Sequence, residues 1–440
     1  MQIKLILTIA AVATVAASSY AQPVSSNWAL AGADPQRTGR SQFAGATDGQ
    51  LQWRINILGD GEPHSAGVVI GAAGEIYVGT MSRPTNQGMY AVSADGQVLW
   101  NNPTPNRIPR GGAVLSDGSI IALSRNSAIY NFASDGSINW AFSPDPGPIQ
   151  DFFSAPNVSS DGVIYATRQN SGLYAFNPDG TVRWNALPWV NSGVSPAIHH
   201  NGTIIWGGED GSIWAHNAAG IEQWSRNLGT PLIVSSPAIA ASGVILIGTL
   251  DQGLYALGPD GSVLWRRTDI NGILGRVAIR ENDSIVVAAE GNTLWSLNAD
   301  GTTQWMFDAP GEAIEIQSSP IVDASGRVFA SMDTNTMFGF DLDGSILFEY
   351  ETGGSILAPG ALSDFGTLYF GSTDGYLYAV GTPIPCLADI SGDGQLDFFD
   401  VSGFLIYFQL DDPRADMNHD GVLDFFDVSQ FLQAFISGCP

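Results

Sequence analysis

The chain has few of the residues that build most catalytic and nucleic-acid-binding sites. Its 440 residues include five histidines and two cysteines, and 17 Lys and Arg stand against 43 Asp and Glu, for a formal net charge of −26. Nucleic-acid phosphates require clustered basic side chains, so we expect no nucleic-acid partner. A strong net charge of one sign favours solubility instead.

Familiar catalytic motifs are also missing from the sequence. There is no His-x-x-x-His or His-Glu pair, so no zinc site is indicated. There is no Gly-x-Ser-x-Gly nucleophile elbow and no phosphate-binding loop. The sequence therefore identifies no catalytic residue.

Long apolar runs are confined to the N-terminus. Residues 1–21 have the pattern of a secretory signal peptide, with Lys4 first, an apolar stretch over 5–17 and small residues before Gln22. No later stretch reaches eighteen apolar residues, so we expect no membrane span. We predict an exported protein that is extracellular, at the cell surface or periplasmic.

The body of the chain is one repeat. Large aromatic residues recur every 40–47 residues, at Trp53, Trp100, Trp140, Trp184, Trp224, Trp265, Trp305 and Phe348. Each repeat contains four short apolar segments separated by turn signals, which is typical of a propeller blade. Eight first-strand segments predict a mainly β fold, an eight-bladed β-propeller over residues 22–381.

The two ends of the repeat region predict how the ring closes. The eighth repeat has no outer strand, and an unpaired strand at 51–55 precedes the first repeat. We expect strand 51–55 to complete blade eight, so that no sheet edge stays open. We expect the tryptophans to pack between neighbouring blades. Six repeats carry Asp-Gly before the last strand, which predicts type I′ hairpin turns.

The face where the first strands begin is the usual ligand face of a propeller. Residues there are mostly small, but Arg110 and Arg276 are not, and they fall in opposite blades two and six. The loops around them carry Asp151, Phe152, Trp189, Glu315 and Gln317. These seven residues are either a solvated rim or a shallow site for an anion, a glycan or a protein.

The last part of the chain, residues 386–440 after a linker at 382–385, is organised differently. Two near-identical twelve-residue stretches begin at Asp389 and Asp416, each with oxygen-bearing side chains at positions 1, 3, 5, 9 and 12 and a glycine at position 6. This is the ligand spacing of a calcium loop. Cys386 and Cys439 bracket the two loops, which in an exported protein predicts a disulfide.

The repeat resembles the pyrroloquinoline-quinone-like repeat propellers over residues 27–381. The likeness rests on the opening Trp-Ala-Leu-Ala-Gly-Ala-Asp-Pro-Gln-Arg at 28–37, the Ser-Pro-Ala first strands and the Asp-Gly-x-x-x-Trp endings. That family includes quinone-dependent dehydrogenases and non-catalytic members such as an outer-membrane assembly scaffold. The chain lacks the dehydrogenases' Thr-Gly-Lys turn, adjacent cysteines and Cys-x-x-Cys-His motif, so we do not expect a quinone cofactor.

Residues 386–440 resemble a type I dockerin, in the variant that ends in Gly-Cys. The resemblance implies two calcium ions and a cohesin-like protein partner. It implies one ion on Asp389, Ser391, Asp393, the carbonyl of Gln395, Asp397 and Asp400, and the other on Asp416, Asn418, Asp420, the carbonyl of Val422, Asp424 and Asp427. Phe398, Phe399, Phe425 and Phe426 stand where dockerins often carry small hydroxyl residues. They are either core or an apolar docking face.

Three functions are compatible with these features. The first is an exported non-catalytic binding or scaffold propeller, tethered to a cohesin-like partner or surface receptor through the calcium-dependent C-terminal domain. The second is a glycoside hydrolase or polysaccharide lyase of a polysaccharide-degrading assembly, with paired carboxylates converging from different blades. The third is a quinoprotein dehydrogenase.

Overall fold

The computed structural model describes residues 28–57, 67–80, 88–143, 151–186, 190–229, 233, 235–310, 319–332, 334–381, 388–391, 396–410, 412–417 and 422–437. The predicted signal peptide at 1–21 and the linker at 382–385 lie outside these residues.

The strands follow the repeat. An initial strand, β1, spans Leu51–Asn56. Blade 1 contains β2 (Val68–Ile70), β3 (Ile76–Gly79), β4 (Gly88–Val92) and β5 (Val98–Pro103). Blade 2 contains β6 (Ala113–Val114), β7 (Ile120–Leu123), β8 (Ile129–Phe132) and β9 (Ile138–Phe142). Blade 3 contains β10 (Asn157–Val158), β11 (Ile164–Arg168), β12 (Gly172–Phe176) and β13 (Val182–Ala186). Blade 4 contains β14 (Ala197–Ile198), β15 (Ile204–Gly207), β16 (Ser212–His216) and β17 (Glu222–Asn227).

The second half repeats this pattern. Blade 5 contains β18 (Ala238–Ile239), β19 (Ile245–Gly248), β20 (Leu254–Leu257) and β21 (Val263–Arg267). Blade 6 contains β22 (Ala278–Ile279), β23 (Ile285–Ala289), β24 (Thr293–Leu297) and β25 (Thr303–Asp308). Blade 7 contains β26 (Ile321–Val322), β27 (Val328–Ala330), β28 (Thr336–Phe340) and β29 (Ile346–Glu351). Blade 8 contains β30 (Ala361–Leu362), β31 (Leu368–Gly371), β32 (Tyr376–Val380) and β1.

The described residues thus form eight four-stranded antiparallel sheets, and the eight-bladed propeller prediction is confirmed. First strands of neighbouring blades contact one another around the axis, so they are the innermost strands. In blade 8 the strand order is β1-β32-β31-β30, with Trp53 of β1 opposite Ala379. The N-terminal strand therefore closes the ring as predicted.

The repeated tryptophans join each blade to the next. Six of them donate the indole N–H to a carbonyl in the next blade's outer turn at 2.7–3.1 Å, namely those of Ala94, Ser134, Ala218, Pro259, Ala299 and Leu342. The indole also lies against the turn glycine, as Trp53 does against Gly96. Blade 8 has no outer hairpin to accept such a bond, and blade 7 carries Phe348, which packs against Gly49 instead.

The outer turns are not the type I′ turns that the Asp-Gly pairs predicted. The N–H of Gly136 donates to the carbonyl of Ala133 at 2.9 Å, and φ is +84° at Gly136 but not positive at Asp135. The two strands also shift register beside the turn. This is a type I turn followed by a left-handed glycine that forms a bulge. In this turn, Asp135 Oδ1 accepts the amide of Ser137 at 2.9 Å.

Residues 28–50, here the N-terminal segment, pair with the inner strands of the ring. Backbone N–H groups of six first strands donate to its carbonyls at 2.8–3.0 Å, from Ile70, Val114, Ile198, Ile239, Ile279 and Val322 in blades 1, 2, 4, 5, 6 and 7. In blade 3 the side-chain amide of Asn157 donates to the carbonyl of Pro35 at 2.8 Å. The segment thus covers inner strand edges that would otherwise lack partners.

The C-terminal part contains two helices in its described residues, α1 (Phe398–Gln409) and α2 (Phe425–Ser437), with a 3₁₀ turn at Pro413–Ala415. Phe404 of α1 and Phe431 of α2 stack with ring centroids 4.2 Å apart and form the centre of a small core. Neither helix is long and apolar enough to cross a membrane. Cys386 and Cys439 lie outside the described residues, so their disulfide stays a prediction.

Candidate functional site: an arginine-lined cavity on the axis

One position of the repeat surrounds a cavity at the centre of the ring. Each blade contributes the residue three positions before the end of its first strand. These residues are Gly67, Gly111, Ala155, Ser195, Ser236, Arg276, Ser319 and Pro359. We call these eight residues the axial ring. The centre of a water-sized sphere can move through about 60 Å³ of the cavity, and the empty space out to the open mouth is about 520 Å³.

Small side chains in the axial ring follow from crowding at the axis, and its serines also link blades. Ser195 Oγ accepts the amide of Ala155 at 2.8 Å, and Ser236 Oγ accepts the amide of Ser195 at 3.0 Å. Ser319 Oγ accepts the amide of Arg276 at 3.0 Å. The serine of the Ser-Pro motif therefore links the inner strands of neighbouring blades through its hydroxyl group.

Arg276 stands where other blades have a small residue. Its side chain is 6 % exposed, and Nε and Nη2 have no hydrogen-bond partner within the described ranges. A Cβ at Gly32 or Gly39 of the N-terminal segment would come within 3.3 Å of its guanidinium, and both glycines have positive φ. Burial lowers the pKa of Arg276 to about 10, and the charge of Asp34 opposes that shift.

A second guanidinium, that of Arg37, reaches the same cavity from the N-terminal segment. It donates to four carbonyls: Pro196 at 2.7 Å, Ala155 at 3.1 Å, Pro156 at 3.2 Å, and Ala31. Burial, together with the charge of Arg276, lowers the pKa of Arg37 to about 9. Its hydrogen bonds are thus satisfied, but its charge is not neutralised by them.

Asp34 is the carboxylate whose charge acts on both buried arginines. Its oxygens accept the amide of Thr38 at 2.9 Å and the hydroxyl of the same residue. Burial raises the pKa of Asp34, although these hydrogen bonds and the charges of Arg40 and Arg276 act in the opposite direction. The single negative charge of Asp34 therefore interacts with the positive charges of Arg37, Arg40 and Arg276.

The structure brings together only part of the predicted face. Arg110 and Arg276 both line the cavity, although their blades are opposite. Arg110 lies one residue before the axial ring, and its Nε donates to the carbonyl of Phe153 at 3.1 Å.

The other predicted face residues lie elsewhere. Phe152 is fully buried and packs on Phe176 at a centroid distance of 6.3 Å, so it offers no surface to a ligand. Asp151 pairs with Arg125 at 2.8 Å and does not line the cavity. Trp189, Glu315 and Gln317 lie outside the described residues. Sequence reasoning missed Arg37 and Asp34, for which the only signal was the conspicuous opening stretch at 28–37.

In the C-terminal domain, the aspartate at position 12 of each predicted loop is buried and accepts two backbone amides. The buried Asp400 accepts the amides of Ser391 and Asp397, each at 2.9 Å. The buried Asp427 accepts the amides of Met417 and Asp424, each at 2.8 Å. Burial would raise the pKa of Asp400, but the hydrogen bonds that it accepts outweigh burial and lower that pKa.

The remaining predicted calcium ligands are divided between described and undescribed residues. Asp397 and Asp424 sit at the starts of α1 and α2, where each accepts an amide at 2.7 Å. Ser391 Oγ lies 3.2 Å from Asp389 Oδ1. Asp416 and Val422 are described, but Asp393, Gln395, Asn418 and Asp420 are not. The described residues alone bring no three acidic, His or Cys side chains close enough to hold a metal.

The four phenylalanines at the starts of the helices are exposed. Phe398 and Phe425 are each 76 % exposed, and Phe399 and Phe426 are 68 % and 66 % exposed. Within each pair the ring centroids are 6.3 and 6.4 Å apart in nearly the same edge-on arrangement. These residues are thus not part of the core that Phe404 and Phe431 form.

Known structures with the same fold have diverse activities. The structure of BamB from Moraxella catarrhalis matches with a TM-score of 0.60 at 12 % identity, covering 76 % of this chain and 99 % of that one. Quinohemoprotein alcohol dehydrogenase from Comamonas testosteroni matches with a TM-score of 0.66 at 13 % identity, covering 80 % of each chain. A europium-containing methanol dehydrogenase matches with a TM-score of 0.65 at 12 % identity, covering 94 % and 96 %. Such identities establish the fold alone.

Sequence comparison is more specific. No curated protein matches the chain. The family model described as outer membrane protein assembly factor BamB matches residues 43–188, 126–269, 209–352 and 251–382. These overlapping matches span all eight blades, and the chain belongs to this family of propellers built from pyrroloquinoline-quinone-like repeats.

Proposed function

We propose that the protein is an exported, non-catalytic binding propeller that its C-terminal domain tethers to a partner protein in a calcium-dependent way. The observation that carries this proposal is the duplicated pair of exposed phenylalanines at the starts of α1 and α2. Exposed aromatic side chains in clusters are common at the centres of protein interfaces. A family model named for an assembly factor is consistent with a protein-binding role.

The exposure of these rings has no evident structural purpose. The same helices already bury Phe404 and Phe431 against each other, with Met417 and Ala415 in the same core. Keeping four large apolar side chains in water is unfavourable, and contiguous exposed apolar surface often marks an interaction site. A protein partner that covers both pairs would remove that cost.

Calcium is the part of the proposal that makes tethering conditional. Carboxylate oxygens are the ligands that this hard cation prefers, and each loop carries a buried carboxylate at position 12, Asp400 or Asp427. The residues that would hold the two ions are the predicted sets beginning at Asp389 and Asp416. Bound calcium would neutralise carboxylates that otherwise repel one another.

A glycoside hydrolase, polysaccharide lyase or quinoprotein dehydrogenase remains an alternative proposal. A hydrolase needs two facing carboxyl groups, about 5–9.5 Å apart. Among the described residues that line the axial cavity there is no Asp or Glu, and this favours the binding proposal over a hydrolase centred there. The cavity, about 60 Å³, suits a few water molecules or a small ion better than the three fused rings of a quinone cofactor.

The tethering proposal can be tested on the full chain with an immobilised type I cohesin domain. Binding is expected in calcium and should be lost in a chelator. The double variant Phe399→Ser with Phe426→Ser should bind at least about tenfold more weakly, because two apolar anchors are removed. The matched control is the double variant Leu99→Ser with Leu264→Ser. These leucines lie on outer propeller strands and are 52 % and 53 % exposed.

Three results would count against this function. Equal binding by the phenylalanine variant and the leucine control would show that the exposed phenylalanine pairs are not part of the interface. Binding that is unaffected by chelation would show that the tethering does not require calcium. Failure to bind a panel of cohesin domains would overturn the cohesin-like partner.

A further inference from the structure

We propose that the axial cavity is a binding site for a small oxyanion, with Arg276 as its principal ligand and Arg110 and Arg37 beside it. The ligand is a carboxylate or phosphate-like group, which could be a free ion or the terminal carboxylate of a partner polypeptide. This site lies in the propeller and does not depend on the C-terminal domain.

The first reason is the isolation of Arg276. Two of its nitrogens are buried without a hydrogen-bond partner among the described residues. A buried polar group without a partner is costly, and a buried charge is more so. Serines occupy the same ring position in blades 4, 5 and 7, so a small side chain fits there. An arginine at this one position is therefore an unfavourable choice for stability alone.

The second reason is the balance of charge. Arg37, Arg110 and Arg276 line the cavity, and the described lining contains no carboxylate. Asp34 acts on Arg37 and Arg276 from the N-terminal segment, but it is a single negative charge. The whole chain carries a formal charge of −26, so a local excess of positive charge is contrary to its overall composition. A bound anion would neutralise that excess.

The third reason is the kind of hydrogen-bonding group that faces the cavity. Guanidinium groups only donate. The hydroxyl oxygens of Ser195, Ser236 and Ser319 each accept a backbone amide from the neighbouring blade, which leaves their hydrogens available to donate. A site lined by donors selects a ligand made of acceptors. Carboxylate and phosphate groups fit that requirement, and arginine binds both through two parallel hydrogen bonds.

Size sets the upper limit on the ligand. A water molecule needs roughly 10–15 Å³ on this measure, so a cavity of about 60 Å³ holds a group of a few heavy atoms. The cavity is also open to solvent. A carboxylate at the end of a chain could therefore enter while the rest of the chain stays outside.

The decisive variant is Arg276→Ser, which restores the residue found at the same ring position in blades 4, 5 and 7. Calorimetric titration of the full chain with inorganic phosphate, and separately with acetate, is expected to show one site per chain. Arg276→Ser should bind at least tenfold more weakly. Arg226→Ser, which removes an exposed arginine on β17, is the matched control and should bind like the parent protein.

A second variant tests the site in case Arg276→Ser does not fold. Arg110→Gln removes one charge at the half-buried edge of the cavity, and its amide can still donate to the carbonyl of Phe153. It should weaken phosphate binding while the melting temperature stays close to that of the parent. If Arg276→Ser and Arg110→Gln both bind phosphate as tightly as the parent protein, the proposed ligands are wrong.

Short peptides distinguish the two sources of the anion. Tighter binding of a peptide with a free C-terminal carboxylate than of its amidated twin would assign the site to a polypeptide end. Binding of phosphate and acetate with no preference between the two peptides would assign it to a free ion. If phosphate, acetate and the carboxylate peptide all fail to bind at millimolar concentrations, there is no oxyanion site. None of these results depends on calcium or on the phenylalanines, so the tethering proposal stands or falls separately.

Discussion

The indole N–H of Trp53 donates to the carbonyl of Ala94 at 2.7 Å, and this bond joins the last blade to the first. Trp53 belongs to β1, which completes blade 8, whereas Ala94 lies in the outer turn of blade 1. The contact is the same one that connects five other pairs of neighbouring blades. The ring is therefore closed twice, by strand pairing within blade 8 and by packing against blade 1.

Gly96 is expected to be sensitive to a single methyl group. A Cβ there would lie 2.7 Å from the Trp53 indole, and φ is +86°. Gly202 is a matched control, with φ of +81° and open space around it. We expect Gly202→Ala to cost about 1–2 kcal/mol, from backbone conformation alone. Gly96→Ala should cost about 1–3 kcal/mol more, because the indole must move. Urea unfolding of both variants measures the difference, and equal losses would contradict the packing described here.

Arg37 is expected to need its planar, branched donor group. Its guanidinium donates to carbonyls of Pro196, Ala155 and Pro156, and to that of Ala31 in its own segment. A lysine keeps the charge but cannot span these acceptors. Arg37→Lys should therefore lower the free energy of unfolding by about 2 kcal/mol. Arg40→Lys, in the half-buried next arginine of the same segment, should change it much less. A loss of similar size in both variants would point to a general effect of the segment.

His216 predicts a pH dependence of stability. It is buried and its Nδ1 accepts the indole N–H of Trp206 at 3.1 Å, which requires the neutral ring. Burial lowers its pKa below the ordinary 6.5, although Glu222 opposes the shift. The unfolded chain therefore takes up a proton that the folded protein resists. This contribution is complete above about pH 6.5 and is lost as the pH falls through the folded-state pKa, at up to about 1.4 kcal/mol per pH unit.

The check is a series of urea titrations between pH 7.5 and 5.5. The stability of His216→Gln should fall less over that interval than the stability of the parent protein. His200→Gln, at an exposed histidine in the turn of the same blade, should keep the parental slope. If His216→Gln kept the parental slope, another group would be the one that titrates.

Calcium removal is expected to act on one part of the chain. If the two ions fold the C-terminal domain, chelation should abolish the helical signal of α1 and α2 and leave the propeller's thermal transition in place. Asp400→Ala with Asp427→Ala should lower the calcium stoichiometry and loosen the loops, because these buried carboxylates also hold backbone amides. Full calcium stoichiometry in the double variant would show that the ligands were assigned incorrectly.

The features that the sequence predicts well are those that repeat. The tryptophan spacing predicts the number of blades, and the unpaired strand at 51–55 predicts the closure through β1. Both follow from local periodicity and from the need to pair every strand. The assignment of Asp400 and Asp427 as calcium ligands stays a prediction.

The features that the sequence does not predict depend on distant contacts. Arg37 bonds to carbonyls more than a hundred residues away, and nothing periodic marks those partners. Phe152 was placed on the face because it lies in a loop, but the loop turns it into the core.

The path of the N-terminal segment constrains when the protein can mature during synthesis. Its partners include Ile70 in the first blade and Val322 in the seventh, and β1 cannot pair until β32 has been made. Blades 1 to 7 pair strands that are neighbours in sequence, whereas blade 8 needs both ends of the body. Ring closure is therefore possible only after almost the whole body has been synthesised, and a truncation that removes β32 would leave β1 without a partner strand.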